Sequence, residues 1–184
     1  MTRTATLLLF LLSLVTGPNQ AGTAWTVEES SRLGFVATQG GAPVEGVREK
    51  FEAGIAFVPG NLANSKVSVE IEIASVNSKS KDRDAASISP GLFDVSKWPT
   101  ASFETTSFRR LEDGRFKADA TLTMRGVTKP VTLPFTLEIK QDRAHVKGEM
   151  TVERLDYGIG QGPWKDTSVV GNTVKIFIDL RAKR

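Results

Sequence analysis

Arg83 with Asp84, Asp94, and Arg154 with Asp156 are the charged side chains whose types could act together. Two carboxylates flanking a bond can perform glycosidase-type acid and base chemistry. Each of the five also stands beside turn residues. Capping a short helix and pairing with one another across one end of the fold is therefore the competing role. His145 is the single histidine and there is no cysteine. A thiol nucleophile, a disulfide framework and a Cys-ligated metal are thus excluded, as is a multi-His metal site within one chain. His145 falls between Arg143 and Lys147 on the polar parity of its segment, which suits a solvated outer-face residue better than a proton shuttle. No catalytic residue, metal or cofactor is expected. The 24 Lys and Arg against 21 Asp and Glu give a net charge of +3 with no basic cluster, so no nucleic-acid partner is expected.

The elements that must position these residues have a period of two. Val67, Val69, Ile71 and Ile73 alternate with Ser68, Glu70 and Glu72, which places the apolar row on one face of a strand. The same alternation runs through Phe116, Ala118, Ala120, Leu122 and Met124, and through Val131, Leu133, Phe135, Leu137 and Ile139. It recurs through Ala144, Val146, Gly148, Met150 and Val152, and through Val174, Ile176, Ile178, Leu180 and Ala182. Weaker runs at residues 33–38, 51–58 and 101–108 bring the expected count to eight strands. Gly40-Gly41, Pro59-Gly60-Asn61, Asp113-Gly114, Arg125-Gly126 and Gly171-Asn172 supply the turns, and the short connections imply antiparallel neighbours. Pro134 within its run suggests a sheet edge or bulge. One short helical insertion is expected between residues 78 and 97, ended by Pro90-Gly91.

Ahead of these strands, Arg3 precedes an apolar run over residues 5–15, which Gly17 and Pro18 stop. The run is too short for a spanning helix, which needs roughly 20 apolar residues. Gly22 and Ala24 stand before Trp25 at the small-residue spacing a signal peptidase requires. Residues 1–24 are accordingly expected to be a cleaved signal peptide and residues 25–184 an exported, periplasmic domain.

Eight strands with one apolar face favour an all-β, eight-stranded antiparallel up-and-down barrel, because closure removes exposed edges. A membrane barrel would carry girdles of Tyr and Trp. The one Tyr and three Trp, namely Tyr157, Trp25, Trp98 and Trp164, instead fall in turns or at strand ends, so the apolar row is expected to face inward. With few large aromatics on the inward positions, the interior is expected to be a hollow apolar tube. Its lining is expected to comprise Val67, Val69, Ile71, Ile73, Leu122, Met124, Leu133, Phe135, Leu137, Val146, Met150, Val152, Ile176 and Ile178. These residues packing only one another is the alternative. Arg125 at a strand exit could meet a polar lipid head or be a solvated turn residue. Tyr157 and Trp164 could lid the mouth or form a structural corner.

Four motifs stand in order: Arg83-Asp84 followed by Phe93-Asp94-Val95, then Trp98-Pro99-Thr100-Ala101-Ser102-Phe103. Leu122-Thr123-Met124-Arg125-Gly126-Val127-Thr128-Lys129-Pro130-Val131 and Arg154-Leu155-Asp156-Tyr157-Gly158-Ile159 running on to Trp164 complete them. In these motifs the chain resembles the YceI-like family of exported, lipocalin-like bacterial proteins. The loop Gly40-Gly41-Ala42-Pro43-Val44 departs from the family pattern. The resemblance implies a binding or carrier protein, not an enzyme, that holds a polyisoprenoid chain of the isoprenoid quinone or quinone-precursor type. Transient contact with a membrane or a membrane respiratory protein would suit that role. An interaction protein with a filled barrel and a hydrolase using the carboxylates at the barrel end are the rival readings.

Overall fold

The computed structural model describes residues 24–184, and the expected leader, residues 1–24, lies outside them apart from Ala24. Eleven strand segments are present: β1 Thr26–Val27, β2 Arg32–Gln39, β3 Ala42–Arg48, β4 Phe51–Ala56, β5 Lys66–Glu72, β6 Val76–Asn77, β7 Thr100–Arg110, β8 Phe116–Met124, β9 Val127–Lys140, β10 Arg143–Glu153 and β11 Thr173–Lys183. All eight expected runs form strands. Ten strands make one hydrogen-bonded path, β4-β5-β7-β8-β9-β10-β11-β2-β3-β6, with β1 added on β11. Every pairing is antiparallel.

The count of eight is corrected by β1, β3 and β6. Two of these are two-residue strands too short to show a period. The third, β3, has the inward row Val44, Gly46 and Arg48, which carries no apolar stripe to mark a strand. Closure is corrected too. The path begins at β4 and ends at β6, so the sheet is a curled half-barrel. β3 pairs with β6 through Val47↔Asn77 and Arg48↔Val76 instead of with β4. The edge of β4 is met by the isolated bridge Trp25↔Ile55.

Pro134 lies on β9, between β8 and β10. Pairing of β9 to β10 stops at Phe135↔Gly148, so the missing N–H falls where β9 parts from its neighbour. The insertion forms helix α1, Lys81–Ile88, whose N-cap Ser80 accepts from the Arg83 N–H at 3.5 Å. The hairpin after β8 turns through Arg125 and Gly126, with φ of 49° and 75°. Two successive positive φ values give the tight turn whose twist matches antiparallel strands.

The core is the inner face of the curled sheet. Along β8, Phe116, Ala118, Ala120, Leu122 and Met124 are all buried, alternating with half-exposed polar residues. This confirms the apolar-in parity.

Candidate functional site

The inner face does not fill the space it encloses. A cavity of about 310 Å³ runs between the walls. It is lined by all fourteen residues expected there, from Val67, Val69, Ile71 and Ile73 on the β5 side, through Leu122, Met124, Leu133, Phe135 and Leu137, to Val146, Met150, Val152, Ile176 and Ile178. They converge because adjacent antiparallel strands place same-parity residues opposite one another, as in Met150↔Ile176 and Val69↔Phe103.

One end is plugged, against the expectation of few aromatics inside. Phe57, Phe108, Phe116 and Phe135 pack ring against ring. Phe116 and Phe135 stack with centroids 5.5 Å apart, and Phe57 meets Phe108 edge-on at 5.0 Å. Trp25 joins this end, its Nε1 donating to the Phe57 carbonyl at 3.1 Å. Three of these phenylalanines were not singled out from the sequence. Phe57 lies past the end of β4, and Phe108 lies beyond the register shift between Thr105 and Ser107, where strict alternation fails. Phe116 was placed on its strand's inner row without being assigned to the lining.

Loops and α1 close the other end. Trp164 lines the cavity there, whereas Arg125 and Tyr157 do not. Arg125 donates from Nη1 to the carbonyls of Pro90 (3.1 Å) and Leu92 (2.7 Å) and lies 4.9 Å over the Trp98 ring, so it ties the β8–β9 hairpin to the segment after α1. Tyr157 is buried, and burial, with the nearby Asp156 charge adding to it, pushes its hydroxyl pKa up.

The five charged residues expected to pair with one another do not. Arg83 donates to the Ser78 Oγ and carbonyl at 3.3 and 3.0 Å, while Asp84 accepts from the Ser78 N–H at 2.9 Å. Asp94 accepts from Ser96 Oγ, and Asp156 lies 3.4 Å from Lys129. Arg154, only 3% exposed, donates to the carbonyls of Gly171, Ile159 and Val170 at 3.0, 2.8 and 2.6 Å. Burial lowers its pKa. Arg83, Asp84 and Arg154 satisfy nearby backbone and Asp94 and Asp156 satisfy other side chains, so the carboxylates face different partners instead of one another as glycosidase chemistry requires. His145 is on the outer face, its Nε2 2.6 Å from Asp179. Among the described residues no three His, Asp or Glu side chains gather as a metal site would need.

Sequence reasoning missed Arg48. It lines the cavity from β3 and is 7% exposed, and its guanidinium lies 5.6 Å from the Phe35 ring and 4.9 Å from the Phe93 ring. Burial pushes its pKa down to about 10, against the field of Asp84. A charged residue at an inward parity position between Gly40-Gly41 and Phe51 was the signal available.

The model of the YceI-like domain matches residues 25–182. The chain belongs to the YceI family. Among its YceI-type relatives, the UPF0312 protein of Ectopseudomonas mendocina is 29% identical over 194 aligned residues covering all of both chains. The structure of BcnA from Burkholderia cenocepacia matches with a TM-score of 0.82 at 27% identity, over 86% of this chain and 100% of that one. A polyisoprenoid binding domain from Saccharophagus degradans matches with a TM-score of 0.67 at 16% identity, over 87% and 97% of the two chains, which shows a shared fold.

Proposed function

We propose that this protein is a periplasmic binding or carrier protein that holds a polyisoprenoid chain, of the isoprenoid quinone or quinone-precursor type, in its cavity. The observation that carries the reading is the open apolar space itself. Protein interiors normally leave few voids larger than a water molecule. A dry void of about 310 Å³ would cost on the order of 7 kcal/mol at roughly 24 cal/mol per Å³, comparable to a whole domain's stability. A hydrocarbon tail removes that cost and gains about 25 cal/mol per Å² of its own buried surface, on the order of 10 kcal/mol for several hundred Å² before entropic losses. Met124 and Met150 on the wall are unbranched and adapt to a chain of varying conformation. A polyisoprenoid, rather than another amphiphile, is favoured by family membership and by the shared fold with the polyisoprenoid binding domain from Saccharophagus degradans. The leader pattern of residues 1–24 supports the periplasmic location.

The test is to purify the protein from its native periplasm, extract it with organic solvent and identify the released lipid by mass spectrometry, beside Ile71→Glu and Leu133→Arg. A polyisoprenoid in the unaltered protein and none in the folded variants is expected. Absence of any extractable lipid from the unaltered protein, or undiminished retention in both folded variants, would overturn the reading.

A further inference from the structure

A ligand that is hydrocarbon throughout would need no charge in its cavity, yet Arg48 stands in the wall. Its position is a product of topology. β3 pairs with β2 on one side (Leu33↔Arg48) and with β6 on the other (Arg48↔Val76), and the inward parity of β3 turns the side chain onto the cavity. Nη1 donates to the Ile73 carbonyl. No other hydrogen bond from the fork is present among the described residues and no fully buried side-chain nitrogen lacks a partner, so the remaining donors open onto the cavity space, with no carboxylate within ion-pair distance. The contrast with Arg154 is direct, since that guanidinium is spent on three carbonyls.

A buried guanidinium with free N–H groups is costly unless something accepts from it. The rings of Phe35 and Phe93 flank the cation and do not accept in the plane of the fork. Resting on the lipid-binding reading above, the geometry points to Arg48 as the residue that selects the head group, donating to a neutral oxygen acceptor of the carbonyl class at the end of the bound chain. A doubly charged phosphate fits worse. Asp84 lies on the same wall, and Arg83, the neighbouring cation there, has its Nε and Nη2 donors engaged by Ser78. Bringing two negative charges into this apolar space would leave them poorly compensated.

The probes are four chains of equal length on one C20 prenyl scaffold, carrying a ketone, an alcohol, a phosphate monoester or no polar group. The full chain should bind the ketone about tenfold more tightly than the hydrocarbon, the range of one hydrogen bond to a charged donor. In Arg48→Met that ratio should fall to about one, and in Arg48→Lys, which keeps a single cationic donor without the fork, it should fall in between. With a ¹³C-labelled ketone, the carbonyl stretch in the unaltered protein should lie below its position in hexane. That readout needs no variant to fold. Ketone and hydrocarbon bound equally, an unshifted carbonyl stretch, a ratio preserved in both variants, or the phosphate monoester bound more tightly than the ketone would each overturn the Arg48 assignment. Failure of every chain to bind the unaltered protein would instead overturn the lipid-binding reading.

Discussion

The two ends of the cavity are closed by different physics. At one end, Phe57, Phe108, Phe116 and Phe135 fill the space between strands with rings packed on one another. At the other, α1 and the segments 90–99 and 154–171 span the opening, held by hydrogen bonds from Arg125 and Arg154 to backbone carbonyls. A packed aromatic plug resists opening because every displaced ring loses contacts at once. Loops pinned by a few side chains can open locally, which places them at the low-stability end of a fold. The ring-packed end is therefore the sealed one, and on the proposed function the loop end is the gate by which a ligand would reach Arg48.

Cutting a ring from the plug should have the largest effect. Phe135 contacts three other rings, with centroids 5.5, 6.1 and 6.2 Å away, and it is 7% exposed. Phe135→Ala should cost about 4 kcal/mol in urea unfolding. A loss under about 1 kcal/mol would mean that this end is not a packed plug and the contrast fails.

Arg154→Met should cost somewhat less, about 3 kcal/mol, by leaving the carbonyls of Ile159, Val170 and Gly171 without their shared donor. The backbone is built around that guanidinium. Gly160 has φ of 130°, and a Cβ there would sit 2.0 Å from Arg154 Nη1. Faster amide exchange should appear first across residues 158–171 and leave the plug strands protected. Uniform loss of protection would show instead that the two ends unfold as one unit.

The difference between the ends also explains what could be read from sequence. The wall is built from period-two strands, and its fourteen lining positions followed from parity alone, because a strand's inner row needs nothing but alternation. Closure at either end is not set by period alone. Phe57 stands beyond its strand, and Phe108 sits past the register shift in β7. Arg154 bonds to carbonyls across its own loop, so its charge gave a false hint of pairing with Asp156 or Asp84. Arg48 was hidden for a related reason. Its strand carries Gly46 where an apolar residue would reveal the face, and a Cβ at Gly46 would strike the Phe35 ring at 2.5 Å. Half-closure was likewise not legible, since it depends on β3 choosing β6 as its partner, a tertiary event.

The smallest effect belongs to the outer wall, which takes part in neither closure. Asp179 on β11 lies 2.6 Å from His145 Nε2 and 3.6 Å from Lys147 Nζ. The hydrogen bond from His145 holds its carboxyl below the ordinary carboxylate range against the opposing effect of burial, with the Lys147 charge adding a lesser lowering. A carboxyl depressed in the folded state stabilises the fold above its unfolded pKa, and that contribution is lost as pH falls through the folded value. These side chains are open enough to water that screening keeps the gain under about 1 kcal/mol. Asp179→Asn should therefore lower stability by at most about 1 kcal/mol at neutral pH. The gap should close as acid protonates Asp179 in the unaltered protein, below the ordinary carboxylate range. Chain binding and the ketone-to-hydrocarbon ratio should match the unaltered protein, because the Asp179 carboxylate points away from the cavity toward His145 and Lys147. A gap that persists in acid would assign the loss to packing around residue 179. A changed ratio would mean that the outer wall and the Arg48 end are mechanically joined, and the division between a sealed end and a gated end would have to be redrawn through β11.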